Sequence, residues 1–269
     1  MNLSNLLGLA LAAASVAACG PGNAPAKPDA NAAPAPGRVL RVGVEAKYEP
    51  FETVNEKGEF IGFDIDLARE AAQALGRTAQ FKDMGWDSLI PELQAGRIDV
   101  ICSGMSRTDE RAQIVDFTKP YAQSPMSVLL NIELTKKVER AAQLDDPAMR
   151  IAVQRGTTGA KKAMAAFPKA KFTEFDTENE AATEVGTGRC AAFVYDYLSV
   201  ERYARQYPTA TRILDESLGG EDYCMAVAKG SPLRAQLDAF LDQAKQPDGA
   251  LQRLMHKWLP GAAEKLRPR

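Results

Sequence analysis

The sequence predicts an α/β fold made of two successive sets of strand–helix units. Three observations predict it. Apolar runs at period two, of strand length, alternate with runs whose apolar residues fall at helical spacing. The alternation begins near residue 38 and begins again near residue 150. The 269 residues are 45% hydrophobic and 25% charged, as in an ordinary soluble globular chain, and that length fits one large domain or two small ones.

The elements follow in order. Val39 to Glu45 alternates as a strand, and Phe51 to Phe63 reads as a hairpin turning at Asn55-Glu56-Lys57-Gly58. Leu67, Ala68, Ala71, Ala72 and Leu75 share one helix face that stops at Gly76. Ala79 to Met84 is a strand. Asp87 is expected to cap the next helix, which carries Leu89, Ile90 and Leu93 and ends at Gly96. Asp99 to Gly104 reads as a buried strand, and Thr108 caps a short helix. In the second set, Arg150 to Gln154, Lys171 to Phe175 and Cys190 to Tyr195 are strands. Helices open near Gly156-Thr157 and at Thr177, where Thr177 and Glu180 match a capping box. Thr211 to Leu214 and Tyr223 to Val227 are short strands. Ser231-Pro232 starts a final helical stretch carrying Leu233, Leu237, Leu241, Leu251, Leu254 and Trp258. Such repeated units imply parallel sheets covered by helices.

Before this body, residues 1–18 read as a secretory signal, although Met1 to Asn5 contains no Lys or Arg. The signal ends in Val16-Ala17-Ala18-Cys19-Gly20, which resembles a bacterial lipobox and implies diacylglycerol on Cys19. Residues 20–37 hold five prolines and nothing apolar larger than alanine, too little to bury a core. Extended, they form a tether of roughly 50 Å. The longest apolar run, Leu6 to Ala18, falls short of the roughly 20 residues a membrane-spanning helix needs.

Composition removes several function classes. A net charge of −2 argues against nucleic-acid binding, which requires a basic face. The single histidine, His256, lies in a helical run with no nucleophile motif beside it, so no Ser-His-Asp or Cys-His system is expected. The cysteines, at 19, 102, 190 and 224, are too scattered for zinc, and Cys102 and Cys190 read as small buried hydrophobes. Gly156 to Lys161 superficially resembles a phosphate loop but lacks its spacing and its Gly-Lys-Ser/Thr ending.

Ligands in such folds bind beyond the carboxyl ends of strands. Glu45 and Tyr48 follow the first strand, and Trp86 the second. Ser103-Gly104-Met105-Ser106 and then Arg111 follow the third, Gly156-Thr157-Thr158 open a helix, and Asp196 ends a later strand. Aromatics, an arginine, an anion-binding helix start and acids at one edge suit a small zwitterion.

The stretches GEFIGFDIDLAREAAQALG, WDSLIPELQAGRIDVICSGMSRTDER, GTTG and FVYD resemble the extracellular solute-binding proteins of polar amino acid ABC importers. The resemblance covers about residues 38 to 260 and is close to the branch that binds glutamine or lysine, arginine and ornithine. It implies the α/β, two-lobe, type II periplasmic-binding-protein fold: residues 38–122 in lobe 1, 123–222 in lobe 2, and 223–269 back in lobe 1, with two hinge crossovers and the ligand between the lobes. By the same resemblance Arg111 grips an α-carboxylate. Thr157 and Thr158 offer the helix start to it, with Ser103, Gly104, Met105 and Ser106 lining the pocket. Asp196 pairs with the ammonium, Tyr48 and Trp86 sandwich the side chain, and Glu45 faces its end, favouring a cation. Gln154 is placed to recognise an amide. The implied partners are a polar L-amino acid, an ABC permease and, through Cys19, membrane lipid. A monomer in the periplasm or at the cell surface is expected, with no cofactor, metal or catalytic residue.

Two alternatives share the fold. Cyclohexadienyl dehydratases carry a catalytic glutamate three residues beyond the position of Asp196, where this chain has Ser199. Receptor ectodomains are the other, and here sensing would need a partner protein.

Overall fold

The computed structural model of the chain describes residues 39–261. Cys19 and the 19–37 tether lie outside the described residues. Lobe 1 begins with β1 (Val39–Val44), the ribbon β2 (Lys47–Tyr48), β3 (Glu52–Val54) and β4 (Phe60–Ile61), and α1 (Phe63–Ala74). Next come β5 (Thr78–Asp83), α2 (Trp86–Gln94), β6 (Val100–Ile101), α3 (Asp109–Ile114) and β7 (Val115–Phe117). Lobe 2 holds most of β8 (Ala122–Asn131), then β9 (Arg150–Gln154), α4 (Thr158–Ala166), β10 (Lys171–Phe175), α5 (Glu178–Gly186), β11 (Ala192–Asp196), α6 (Tyr197–Gln206) and β12 (Thr211–Ile213). The chain returns by β13 (Gly220–Tyr223) to β14 (Ala226–Ala228), α7 (Leu233–Ala244) and α8 (Ala250–Trp258).

One sheet runs β5-β1-β6-β14-β7 and the other β10-β9-β11-β8-β12. Neither is purely parallel, contrary to the sequence expectation. β14 runs antiparallel to β6 and β7, and β8 antiparallel to β11 and β12, because both strands belong to returns of the chain between the sheets. The first residues of β8, Ala122 to Pro125, pair with β13, and the rest of β8 joins the second sheet. This antiparallel pair spans the two sheets. It also explains why Tyr223 to Val227 is not one strand: Tyr223 pairs with Ala122, whereas Ala226 already pairs with Phe117 of β7.

The apolar face of α1, with Leu67, Ala68, Ala71 and Ala72, is buried in one core with Leu40, Val42 and Val44 of β1. The core of lobe 2 joins Val128, Leu130, Ile151, Val153 and Val194 to Ala160, Ala163 and Phe167. Each Val, Leu, Ile or Phe side chain so buried contributes about 1.5–3 kcal/mol, and the sheets are fixed accordingly. Thr108 and Thr177 cap α3 and α5 as expected. Asp87 does not cap α2. Gly85 takes the extended N-cap conformation, and Asp87 sits in the first turn, where its charge suits the positive helix end. Cys102, Cys190 and Cys224 are buried free thiols. His256 is an exposed residue of α8. Among the described residues no helix is long and apolar enough to cross a membrane.

Candidate functional site

The carboxyl ends of β1, β6, β9 and β11 meet in a cleft between the sheets, lined by Glu45, Tyr48, Trp86, Ser103, Gly104, Ser106, Thr157, Thr158 and Asp196 of the anticipated set. Gln154 and Arg111 reach it by hydrogen bonds. Met105 does not line it; this side chain, 1% exposed, turns into the lobe 1 core beside Leu89 and Leu93.

Glu45 follows β1 directly. Its amide donates to Ser103 Oγ at 3.0 Å, tying the ends of β1 and β6 together. Its carboxylate accepts from Gln154 Nε2, on β9, at 3.0 and 3.1 Å. Burial pushes this carboxyl up to about 7, against the pull of Gln154 and Lys47. Tyr48 packs its ring on Phe51 at 4.9 Å and shares a hydroxyl–hydroxyl bond with Tyr223 at 2.7 Å. Gly104 takes φ +54°, and a Cβ there would stand 2.6 Å from the Tyr48 ring. Glycine thus allows the loop after β6 to pass beneath the aromatic wall.

Trp86 opens α2 and donates from Nε1 to the Gly156 carbonyl at 3.2 Å. The Arg111 guanidinium lies 5.2 Å over the same indole. Its Nη1 donates to the Ser106 carbonyl at 2.8 Å and its Nη2 to the Gly156 carbonyl at 3.0 Å. Burial depresses the Arg111 pKa; the charges of Glu221 and Glu110 oppose the shift only in part, and among the described residues no carboxylate forms an ion pair with this guanidinium. Opposite, Thr157 is the N-cap of α4, accepting from the Ala160 amide at 3.1 Å while its hydroxyl donates to the Gln154 carbonyl at 2.8 Å. Thr158 is the first residue of the helix, where backbone amides lack intrahelical acceptors.

Asp196 ends β11. Its Oδ1 is buried with no hydrogen-bond partner. Burial lifts this carboxyl to about 7, with Tyr223, Tyr48 and Ser124 hydroxyls opposing and the charge of Glu221 reinforcing. Behind the cleft, Glu178 is lifted to about 7 by burial despite its ion pair with Arg202.

Tyr195, at the same strand end as Asp196, lines the cleft too, and so do Glu52 and Gly159, which were not anticipated. Glu52 is 0% exposed. One of its oxygens accepts from Ser103 Oγ at 2.5 Å and the other has no partner. Burial, with Asp64 nearby, raises its pKa well above the carboxylate range. The signal was present in the ribbon register: β2 and β3 pair Tyr48 with Glu52, which places both side chains on one face.

The contacts of Gln154, Arg111 and Trp86 bridge the two lobes, as does the surface pair Glu110–Lys161. The space they enclose is about 20 Å³, room for about one water. Admitting an amino acid requires some of these bridges to part. The site can then hold a carboxylate at Arg111 and the α4 start, an ammonium at Asp196, and a positive or donor-rich group at Glu45 and Glu52.

Comparison with known proteins places this geometry. ABC transporter arginine-binding protein 1 of Escherichia coli (strain K12) is 29% identical over 227 residues, 82% of this chain and 90% of that protein. The structure of an ancestral arginine-binding protein bound to arginine superposes with TM-score 0.77 at 34% identity, covering 82% of this chain and 98% of the other. An ancestral amino acid-binding protein, a precursor of cyclohexadienyl dehydratase, superposes with TM-score 0.75 at 36% identity, covering 82% and 95%. The fold is the two-lobe, type II periplasmic-binding-protein fold. The pattern of the bacterial extracellular solute-binding proteins, family 3, matches residues 40–261, and the chain belongs to that family.

Proposed function

We propose that the protein captures a polar L-amino acid, with cationic side chains favoured, and hands it to an ABC permease. The observation that carries this reading is an opposed pair of buried ionisable groups, neither of which has an ion-pair partner among the described residues. Buried Arg111, with no carboxylate partner, faces the α4 start, and the unpartnered Oδ1 of Asp196 faces the same cleft. An α-amino acid supplies one charge to each. The carboxyls of Glu45 and Glu52 beside it call for a positive or donor-rich side chain. Lobes at 38–122 with 223–269, and at 123–222, would close on the ligand about the β8–β13 pair, each lobe contributing contacts that the open state lacks. A thermal-shift screen of the purified protein against the twenty amino acids, ornithine, citrulline and prephenate tests this. A ligand at ~1,000 times its Kd adds about 4 kcal/mol. A flat response across the amino acids overturns the reading.

Binding rather than catalysis is supported by Ser199, whose buried hydroxyl stands three residues beyond Asp196 and cannot act as a carboxylic acid. The dehydratase reading predicts phenylpyruvate from prephenate; none above buffer is expected. Cys19 is proposed as the lipid attachment point that holds the protein at the outer face of a membrane. Palmitate labelling should be lost in Cys19→Ser, and equal label on both proteins would sink the anchor.

A further inference from the structure

We infer that the ion pair between Lys162 and Glu221 determines specificity without touching the ligand: it keeps the clamp selective for amino acids over the amines that lack their carboxylate. The inference rests on the amino acid reading above.

Glu221 lies on β13, where the chain returns between the sheets, and its side chain is 5% exposed. The register of β8 places it. Glu221 stands opposite Ser124, and Asp196 stands opposite Met126. Residues 124 and 126 of one strand point to one face, and directly opposed residues share a face. That face carries α4, since a Cβ at Gly159 would stand 3.4 Å from Met126 Sδ. Glu221 and Asp196 are therefore turned to the same side as α4. There the Glu221 carboxylate meets Lys162, in the second turn of α4, at 2.8 Å, and the same ammonium donates to the Gly220 carbonyl at 3.3 Å. Arg111 is anchored nearby. The Ser106 carbonyl that holds its Nη1 belongs to a segment bridged to Tyr223, and the Arg107 amide donates to the Asp222 carbonyl at 3.3 Å. The charge of Glu221 acts on both halves of the clamp, Arg111 and Asp196. Glu110, the other acid acting on Arg111, is exposed and paired with Lys161.

Charge balance then decides what the clamp prefers. In the liganded clamp Arg111 and Asp196 balance one another, as do Lys162 and Glu221. A neutral clamp suits the neutral ammonium–carboxylate pair of an amino acid. Without Lys162, a buried negative charge is left over beside Arg111. It repels a ligand carboxylate and offers Arg111 a rival counter-charge. An amine that keeps the ammonium and the side-chain cation escapes the repulsion. Removing the Glu221 charge instead leaves Lys162 in excess and favours the carboxylate. Neither residue lines the cleft, so the preference is imposed through space.

The test is calorimetry of the full chain with arginine and with agmatine, which is arginine without its carboxylate. Wild type, Lys162→Met, Glu221→Gln and the double variant form the cycle. Lysine with cadaverine and histidine with histamine repeat it. Lys162→Met should lower the ratio of amino acid to amine affinity about tenfold, Glu221→Gln should raise it severalfold, and the double variant should return close to the wild-type ratio. If the ion pair only seats α4, whose start receives the carboxylate, both single variants lower the ratio and the double variant does not recover it. That result overturns the proposal, as does an unchanged ratio in either single variant, while the amino acid reading stands. If Lys162→Met fails to fold, Glu221→Gln still decides by whether the ratio rises. Binding of none of these amino acids to wild type overturns both the inference and the cationic reading.

Discussion

Arg111, on α3, donates from Nη2 to the carbonyl of Gly156, on the opposite lobe, at 3.0 Å. A carbonyl is a poor substitute for a carboxylate as the partner of a buried guanidinium. The bridge therefore holds Arg111 in the place and orientation where a ligand carboxylate would bind it better, with Nη1 kept out of play by the Ser106 carbonyl at 2.8 Å.

Arg111→Ala is expected to weaken amino acid binding by about 2–5 kcal/mol, since the buried carboxylate of the ligand would lose its charged partner. Arg111→Lys should recover only part of the loss, because an ammonium cannot fork onto a carboxylate or lie flat on Trp86. Calorimetry of both variants checks this; near-native affinity in either would displace the carboxylate from this position.

Gly104→Ala should damage binding more than folding. At φ +54° the new Cβ is strained and stands 2.6 Å from the Tyr48 ring. The backbone strain costs about 1–2 kcal/mol. The displaced ring would also lose its bond to Tyr223 and close the cleft wall. Loss of ligand-induced stabilisation with a modest drop in Tm is expected, and an unchanged ligand response would show that the wall tolerates the shift.

The legible parts of the molecule were those set by local rules. Capping residues such as Thr177, strand-end positions such as Glu45 and Asp196, and the α1 face followed from spacing alone. The returns between sheets were not legible. β8 joins two sheets, so Ala122 to Asn131 lacks the alternation of a strand with one solvent face, and its pairing with β13 links residues far apart in sequence. Met105 was misplaced because the loop after β6 turns, at Gly104, against the alternation expected of a strand. Glu52 was missed because an acid after an aromatic in a hairpin reads as a surface residue unless the ribbon register is known.

Stability should fall with rising pH in the absence of ligand. Burial lifts Glu45, Asp64, Glu178 and Asp196 to about 7 from ordinary values of 4.5 or 3.8. The folded chain then binds more protons than the unfolded chain between those values, so this contribution is complete below the ordinary range and is lost as pH rises through 7. Asp66 and Asp99 act oppositely. Burial opposes their ionisation, but hydrogen bonds from Lys257 and from Arg41 win and hold them below 3.8, so their contribution is lost only in stronger acid. Thermal melts should show Tm declining from pH 5 to 8. Saturating arginine should flatten the decline by favouring the ionised carboxyls. A ligand-free Tm that climbs over this range would mean that the cluster is ionised and compensated in the folded protein.

Glu45→Gln should reorder the ligands rather than weaken them all. The Glu45 carboxyl ends the cleft beside Glu52, and its buried contact from the opposite lobe is the neutral Gln154 amide. A cationic side chain brings the compensating charge, and Tyr48 and Trp86 flank it with aromatic faces, whose attraction for a cation is ~0.5–2 kcal/mol. Aspartate and glutamate would set a second negative charge against the first and should bind worst. In Glu45→Gln the charge is gone while the shape remains, so arginine, lysine and ornithine should lose affinity, and glutamate should lose least or gain. Competition among arginine, lysine, ornithine, histidine, glutamine and glutamate on both proteins reads this directly. A wild-type preference for glutamate or leucine, or one order of preference shared by both proteins, would remove Glu45 from the choice of side chain and leave the α-amino acid clamp of Arg111 and Asp196 standing without it.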